Sequence, residues 1–165
     1  DSHRRQRQMC IRDSYKPSQT LDNLLKTEKA TINFIDDVKV FAGIVTGREK
    51  DWDLSLCSQN EVAHLSNTNS YMNLKVSSFI EDELRPKIIC NILNTQNLRP
   101  FMGFNRAQFS VIELAVLSTR LGMIDDEKVK KEYDYLKIGI DKTGGEREKL
   151  AWSWIEEKIE GYFKK

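Results

Sequence analysis

The sequence predicts an α+β protein, with its strands in the first hundred residues and three helices after them. Three observations carry this prediction. Residues 30–35, 71–80 and 87–93 are alternating or β-rich runs of strand length. After Arg99-Pro100 the apolar residues recur at helical spacing. Start and stop residues then follow in order, with Asn105, Asp125-Asp126 and Glu146 opening helices and Gly122 and Gly144-Gly145 ending them.

Taken from the N-terminus, the chain first presents a stretch of different origin. Written back into codons, His3 to Ser14 reproduce a common transposase sequencing adapter, and Arg4 to Asp13 are all encoded by it in one frame. Residues 1–14 are therefore expected to be adapter-derived and non-native, the protein beginning near Tyr15 with its preceding segment missing. This decides a question of charge. Without Arg4, Arg5, Arg7 and Arg12, and without Asp1 and Asp13, the formal net charge moves from +1 to about −1. No strongly basic segment is left, which argues against nucleic acid as a partner.

Ser18 opens a short helix to residue 26, with Leu21, Leu24 and Leu25 at helical spacing. Residues 30–35 form a strand. Asp36-Asp37 caps a short apolar segment, 38–45, that ends at Thr46-Gly47. Residues 47–70 read as a long polar loop with one short element near 61–65, and two strands, 71–80 and 87–93, flank a turn at 81–86. The first long helix starts at Asn105. Gln108 is its capping-box partner, and Phe104 with Phe109 forms a hydrophobic staple. It runs to Leu121. The second helix spans residues 125–141 and the third 146–163, with Ala151, Ile155, Ile159 and Tyr162 on one stripe.

Few residues suggest chemistry. Lys16-Pro17-Ser18-Gln19-Thr20 places two hydroxyls, a cation and the free N–H groups of a helix N-terminus together, either as an anion site or as a helix that caps only itself. Arg106, Glu113 and Arg120 recur every seven residues on one helix face. Glu113 sits in a largely apolar run and is expected to need a partner; the three form a structural ion-pair ladder, or Asn105 and Arg106 at the helix's positive end face a bound anion or a subunit interface. Lys142-Thr143-Gly144-Gly145 lacks the order of a nucleotide-binding loop and reads as a turn. His64 reads as a surface histidine, and Trp52, Trp152 and Trp154 as core or interface residues. Once the adapter segment is set aside, Cys57 and Cys90 are packing residues with no metal-ligand spacing. No apolar run approaches the roughly 18 residues of a membrane span. A cytoplasmic setting is expected.

Together these segments resemble a known family. Lys16, Ser18, Thr20, Asn23 and Leu24, followed by Ala30 to Phe34, are similar to the K-x-S-x-T-x-x-N-L segment of flavin-reductase-like FMN-binding split barrels. Asp36 to Phe41, Phe104 to Ala107, Val111 to Glu113, Thr119-Arg120 and Lys142 to Glu148 narrow the resemblance to the domain-of-unknown-function family numbered 447. The resemblance implies an incomplete FMN-binding split β-barrel over residues 15–100, followed by a C-terminal three-helix segment over 101–165. It further implies a homodimer with FMN at the subunit interface. Ser18 and Thr20 would hold the FMN phosphate with nearby N–H groups, and Lys16 and Asn23 would assist. Asn105 and Arg106 match the family's helical motif as further cofactor-binding candidates. The family's Asn-x-Ala-Pro-hydrophobic-Gly segment does not occur in this chain and is expected before Tyr15.

On that resemblance the leading function is an FMN-dependent oxidoreductase-like protein taking electrons from NAD(P)H or another donor. The alternatives are a non-catalytic flavin-binding or accessory protein and a helical interaction module without ligand. No residue reads as a general acid or base, as suits a cofactor that carries the chemistry itself.

Overall fold

Side-chain alternation is what turns the first half of the chain into a sheet with one dry face. In a computed structural model, residues 7–11, 18–57 and 62–165 are described. Four strands, β1 (Gln8–Ile11), β2 (Lys29–Phe34), β5 (Ser70–Ile80) and β6 (Lys87–Asn97), make an antiparallel sheet in the order β1-β6-β5-β2. Met9 and Ile11, Ile88, Cys90 and Ile92, Met72, Leu74 and Val76, and Ala30 and Ile32 all turn to one face. There α1 (Gln19–Thr27) lays down Leu21 and Leu24, closing an apolar core. The opposite face carries Thr31, Tyr71 and Asn73, and Asn33 accepts a hydrogen bond from the Leu65 N–H (2.9 Å). Leu65 belongs to a two-stranded ribbon, β3 (Leu54–Leu56) with β4 (Ala63–Leu65). The four-stranded sheet does not close into a barrel among the described residues.

Two elements at the sheet edge go beyond the expected strands. Residues 8–11, which fall in the stretch read as adapter-derived, form β1, in register from Gln8 opposite Asn91 to Ile11 opposite Ile88. β1 takes up the backbone groups on the edge of β6 away from β5, and Met9 and Ile11 have the alternation to dock on the dry face. β6 also runs on to Asn97, where Asn94, Thr95, Gln96 and Asn97 pair with residues 70–73 of β5. Paired polar residues carry no hydrophobic signal, so this half of the strand was invisible to periodicity.

The second unit is helical. It contains α3 (Arg106–Ser118), α4 (Asp126–Thr143) and α5 (Glu146–Phe163), and also α2 (Lys39–Thr46). Residues 35–52 cluster with residues 101–165, whereas residues 1–34 and 53–100 make up the sheet unit. The two units therefore do not follow a single cut in the sequence. The apolar segment 38–45 forms α2, whose Val38 and Ala42 bury with Val111, Leu114, Trp152 and Ile155. Asp37 accepts a hydrogen bond from the Lys39 N–H (3.1 Å) at its start, and Gly47 ends it with φ of 72°. Gly139 allows α4 to approach α3. A Cβ there would stand 3.0 Å from the Arg106 carbonyl oxygen and press on Ser110 Oγ.

Four local expectations are corrected in this unit and the ribbon. Glu113 lies on the exposed side of α3, because residues 111, 114, 115 and 118 take the inward positions. Its carboxylate is hydrated and needs no buried partner. Phe104 is fully exposed and meets Phe101 edge-on (centroids 5.3 Å apart), so no staple to Phe109 forms. The Gln108 side chain donates to the Asp36 carbonyl (3.2 Å) instead of returning to Asn105. His64 is buried and stacked on Tyr71, with ring centroids 4.3 Å apart. The aromatic neighbour, seven positions away in sequence, explains the burial. Among the described residues no helix is long and apolar enough to cross a membrane.

Candidate functional site

The N-terminus of α1 is built by one side chain. Ser18 holds extended backbone (φ −150°, ψ 131°), and its Oγ accepts a hydrogen bond from the Leu21 N–H at 3.0 Å. The Asp22 N–H reaches the Ser18 carbonyl at 3.1 Å. Helix geometry leaves the N–H groups of Gln19 and Thr20 without intrahelical acceptors. The Ser18 hydroxyl, having accepted one bond, still has its own proton to donate. The helix end is therefore a donor array, opposed locally by the Asp22 carboxylate in the first turn.

Along the same helix a groove of about 320 Å³ opens between α1 and β2. Thr20, Asn23 and Leu24 line one side, Lys29 to Ile32 line the other, and Ile11 of β1 also reaches it. Both outer strands of the four-stranded sheet thus contribute to one groove. Thr27 lines it too, but its hydroxyl is engaged with the carbonyls of Asn23 (2.9 Å) and Lys29 (3.2 Å). The Thr31 hydroxyl turns to Asn73 Oδ1 (3.1 Å). This leaves the Thr20 hydroxyl, the Asn23 amide and the Lys29 ammonium as the polar equipment of the groove.

The predicted residues are distributed unevenly. Thr20 and Asn23 come together in the groove, and Ser18 caps the helix that walls it. Lys16 lies outside the described residues. Asn105 and Arg106 belong to the helical unit, where Asn105 Oδ1 accepts from the N–H groups of Ala107 (2.7 Å) and Gln108 (3.4 Å) to cap α3. Lys29 was missed by sequence reasoning. Thr20, Asn23 and Thr27 follow one helical stripe, and extending it by a turn would have led to the start of β2.

A second polar cluster lies on the far face of the sheet. Asn73 is fully buried, and its Oδ1 accepts from Thr31 Oγ1 and from the Cys57 thiol (3.6 Å). Burial, and then hydrogen bonding to Cys57, raises the Tyr71 phenol above its ordinary range. Cys90, under α1, is likewise raised, first by burial and then by Cys10. Both shifts keep these groups protonated and chemically quiet at neutral pH. Among the described residues no group of three or more His, Cys, Asp or Glu side chains could hold a metal ion.

An open antiparallel sheet crossed by one helix, in a chain that also carries a helical unit, defines an α+β protein of split-barrel-like fold. The chain belongs to the protein family of unknown function DUF447, whose N-terminal domain matches residues 3–99 and whose C-terminal part matches residues 105–157. An FMN-bound protein of this family from Methanosarcina mazei is similar in structure, with a TM-score of 0.74 at 20% identity over 90% of this chain and 80% of that one. Fainter likenesses extend to an FMN-binding protein from Thermus thermophilus (TM-score 0.42, 15% identity, 55% of this chain and 53% of that one). Another is the flavin reductase of a styrene monooxygenase from Pseudomonas putida S12 (TM-score 0.43, 11% identity, 56% and 60%). No curated protein matches the sequence.

Proposed function

We propose that this protein binds FMN through the N-terminus of α1 and its groove, and that the holoprotein is a cytoplasmic flavin-dependent oxidoreductase. The observation that carries this reading is the convergence of Thr20, Asn23 and Lys29 on one groove beside an open helix N-terminus. A phosphate needs N–H and O–H donors, and the N-terminus of α1 supplies them. The relative from Methanosarcina mazei, which is FMN-bound, supports the choice of ligand.

In this reading Ser18 and Thr20 donate their hydroxyl protons to the phosphate, joined by the Gln19 and Thr20 N–H groups. Lys16, from the segment before the helix, offsets its charge, while Lys29 lines the groove beyond the other end of α1. Asn23 presents an amide that can both donate to and accept from a polyol. Leu24, Ala30 and Ile32 keep the inner wall dry. At about 320 Å³ the groove is at the small end of ligand sites, enough for the phosphate and polyol part of the cofactor only. A second copy of the chain completes the site in a homodimer. When bound, FMN supplies hydride and electron transfer from NAD(P)H or another donor.

Replacing Ser18 and Thr20 together by Ala tests the assignment. Loss of hydrogen bonds to a charged group, at about 1–3 kcal/mol, raises the Kd for FMN by about 5- to 150-fold. Equilibrium dialysis of the full chain measures it, and unchanged affinity removes the phosphate from α1. NAD(P)H oxidation by the flavin-loaded protein then separates an enzyme from a flavin carrier. Inactivity with every donor tested favours the carrier.

A further inference from the structure

The longest exposed apolar run in the helical unit starts just before α3 and continues along its outer face. Phe101, Met102 and Phe104 are exposed ahead of the helix, and Phe109 (54%), Ile112 (37%) and Val116 (42%) are exposed along it. At 100° per residue Phe109 and Val116 lie near the centre of that face and Ile112 on one flank. Arg106 and Glu113, both exposed and seven residues apart, lie together on the other flank. A continuous patch of this kind on a folded surface marks an interaction site.

We infer that α3 docks against α3 of a second copy, antiparallel, about a twofold axis beside Phe109. The charges select this occupant. When two identical helices pair antiparallel, the same flank of each faces the other, so each residue of a flank meets a residue of its own flank. An axis beside Phe109 sets Arg106 against the second copy's Glu113, and Glu113 against its Arg106. Two opposite-charge pairs thus arise from one flank of one sequence. The same register brings the two Phe109 rings together at the centre and lays Gly103 and Phe104 across from Val116. A shifted register pairing Glu113 with Arg120 instead would leave residues 101–104 beyond the end of the helical contact. A parallel pairing would set the charged flank against Ile112. Only the register about Phe109 uses the whole apolar run and both charges.

The inference concerns the pairing of two copies through α3 and not flavin binding, so it is tested on the flavin-free full chain. Sedimentation velocity over a concentration series is expected to show a dimer that Phe109→Glu converts to monomer. Phe109 is half-exposed, and circular dichroism of that variant should match the parent. Arg106→Glu and Glu113→Arg each place like charges at two symmetric positions and should raise the dimer Kd about tenfold or more. The double variant restores both pairs with exchanged sign, and its Kd should return to within about threefold of the parent. Arg120→Glu, outside this register, should leave the Kd unchanged. A dimer indifferent to Phe109→Glu, or charge reversals that do not rescue each other, overturns the α3 interface while leaving a dimer of another kind. A monomer at every concentration overturns the interface and the dimer together. The flavin reading is judged by the Ser18/Thr20 variant in dialysis, and no outcome of the sedimentation series bears on that assignment.

Discussion

The close approach of α4 to α3 makes Gly139→Ala an informative perturbation. In a free helix the change would stabilise by about 1 kcal/mol, since glycine is the poorer helix former. In this structure the added methyl presses on Ser110 Oγ and comes to 3.0 Å from the Arg106 carbonyl oxygen. Ser110 is 3% exposed and has nowhere to swing, and the carbonyl is part of the first turn of α3. Overpacking of this kind costs about 1–3 kcal/mol. With a backbone atom in contact we take the upper half of that range, so the net effect is a loss of about 1–2 kcal/mol, or roughly 2–8 °C in Tm for a chain of this size. Trp52, Trp152 and Trp154 all lie in the helical unit, so tryptophan fluorescence during urea unfolding follows the affected unit directly. Ser110→Ala should recover about 1 kcal/mol in the Gly139→Ala background beyond its own effect. A single variant as stable as the parent, or a double variant that is merely additive, would refute the steric argument.

Two further outcomes are expected. The Tyr133 phenol, buried in part and bonded to the Glu156 carboxylate, is held well above its ordinary value of 10.0, first by burial and then by that hydrogen bond. The unfolded phenol loses its proton near pH 10 while the folded one keeps it, so the associated stability is complete below pH 10 and declines above it. Tyr133→Phe should flatten that alkaline decline in a series of thermal melts, and an identical decline would sink the idea. Glu28 ends α1 in left-handed backbone (φ 56°). Glu28→Gly removes a penalty of about 1–2 kcal/mol against an added unfolded-state entropy of about 0.4–1 kcal/mol. The sheet unit should gain up to about 1.6 kcal/mol, read by chemical denaturation with far-UV detection, and a loss of stability would contradict it.

Local signals proved readable wherever one residue decides the outcome. Ser18 capping α1, Asn105 capping α3 and Gly47 ending an apolar segment are each legible because a cap is a contact within three residues. Thr20 is a candidate by the same local logic and Asn23 by the family resemblance, and the two line one groove. What could not be read depends on partners distant in the chain. Nothing near residue 40 says that Val38 and Ala42 bury against residues 111–155. His64 is buried by Tyr71 only once β4 and β5 have folded. Glu113 looks buried when the apolar run is read without its helical phase, which turns it outward.

The placement of α2 among the later helices sets a timetable for synthesis. Val38 and Ala42 leave the ribosome roughly sixty residues before α3, which at ~5–20 residues per second is on the order of 3–12 s. During that interval an apolar helix has no permanent home, while the strands encoded between it and its partners are made. A nascent chain of this protein should therefore depend on holding chaperones most strongly between residues 46 and 106. For the same reason, an expression boundary at residue 100 would deprive the helices of a wall of their own core.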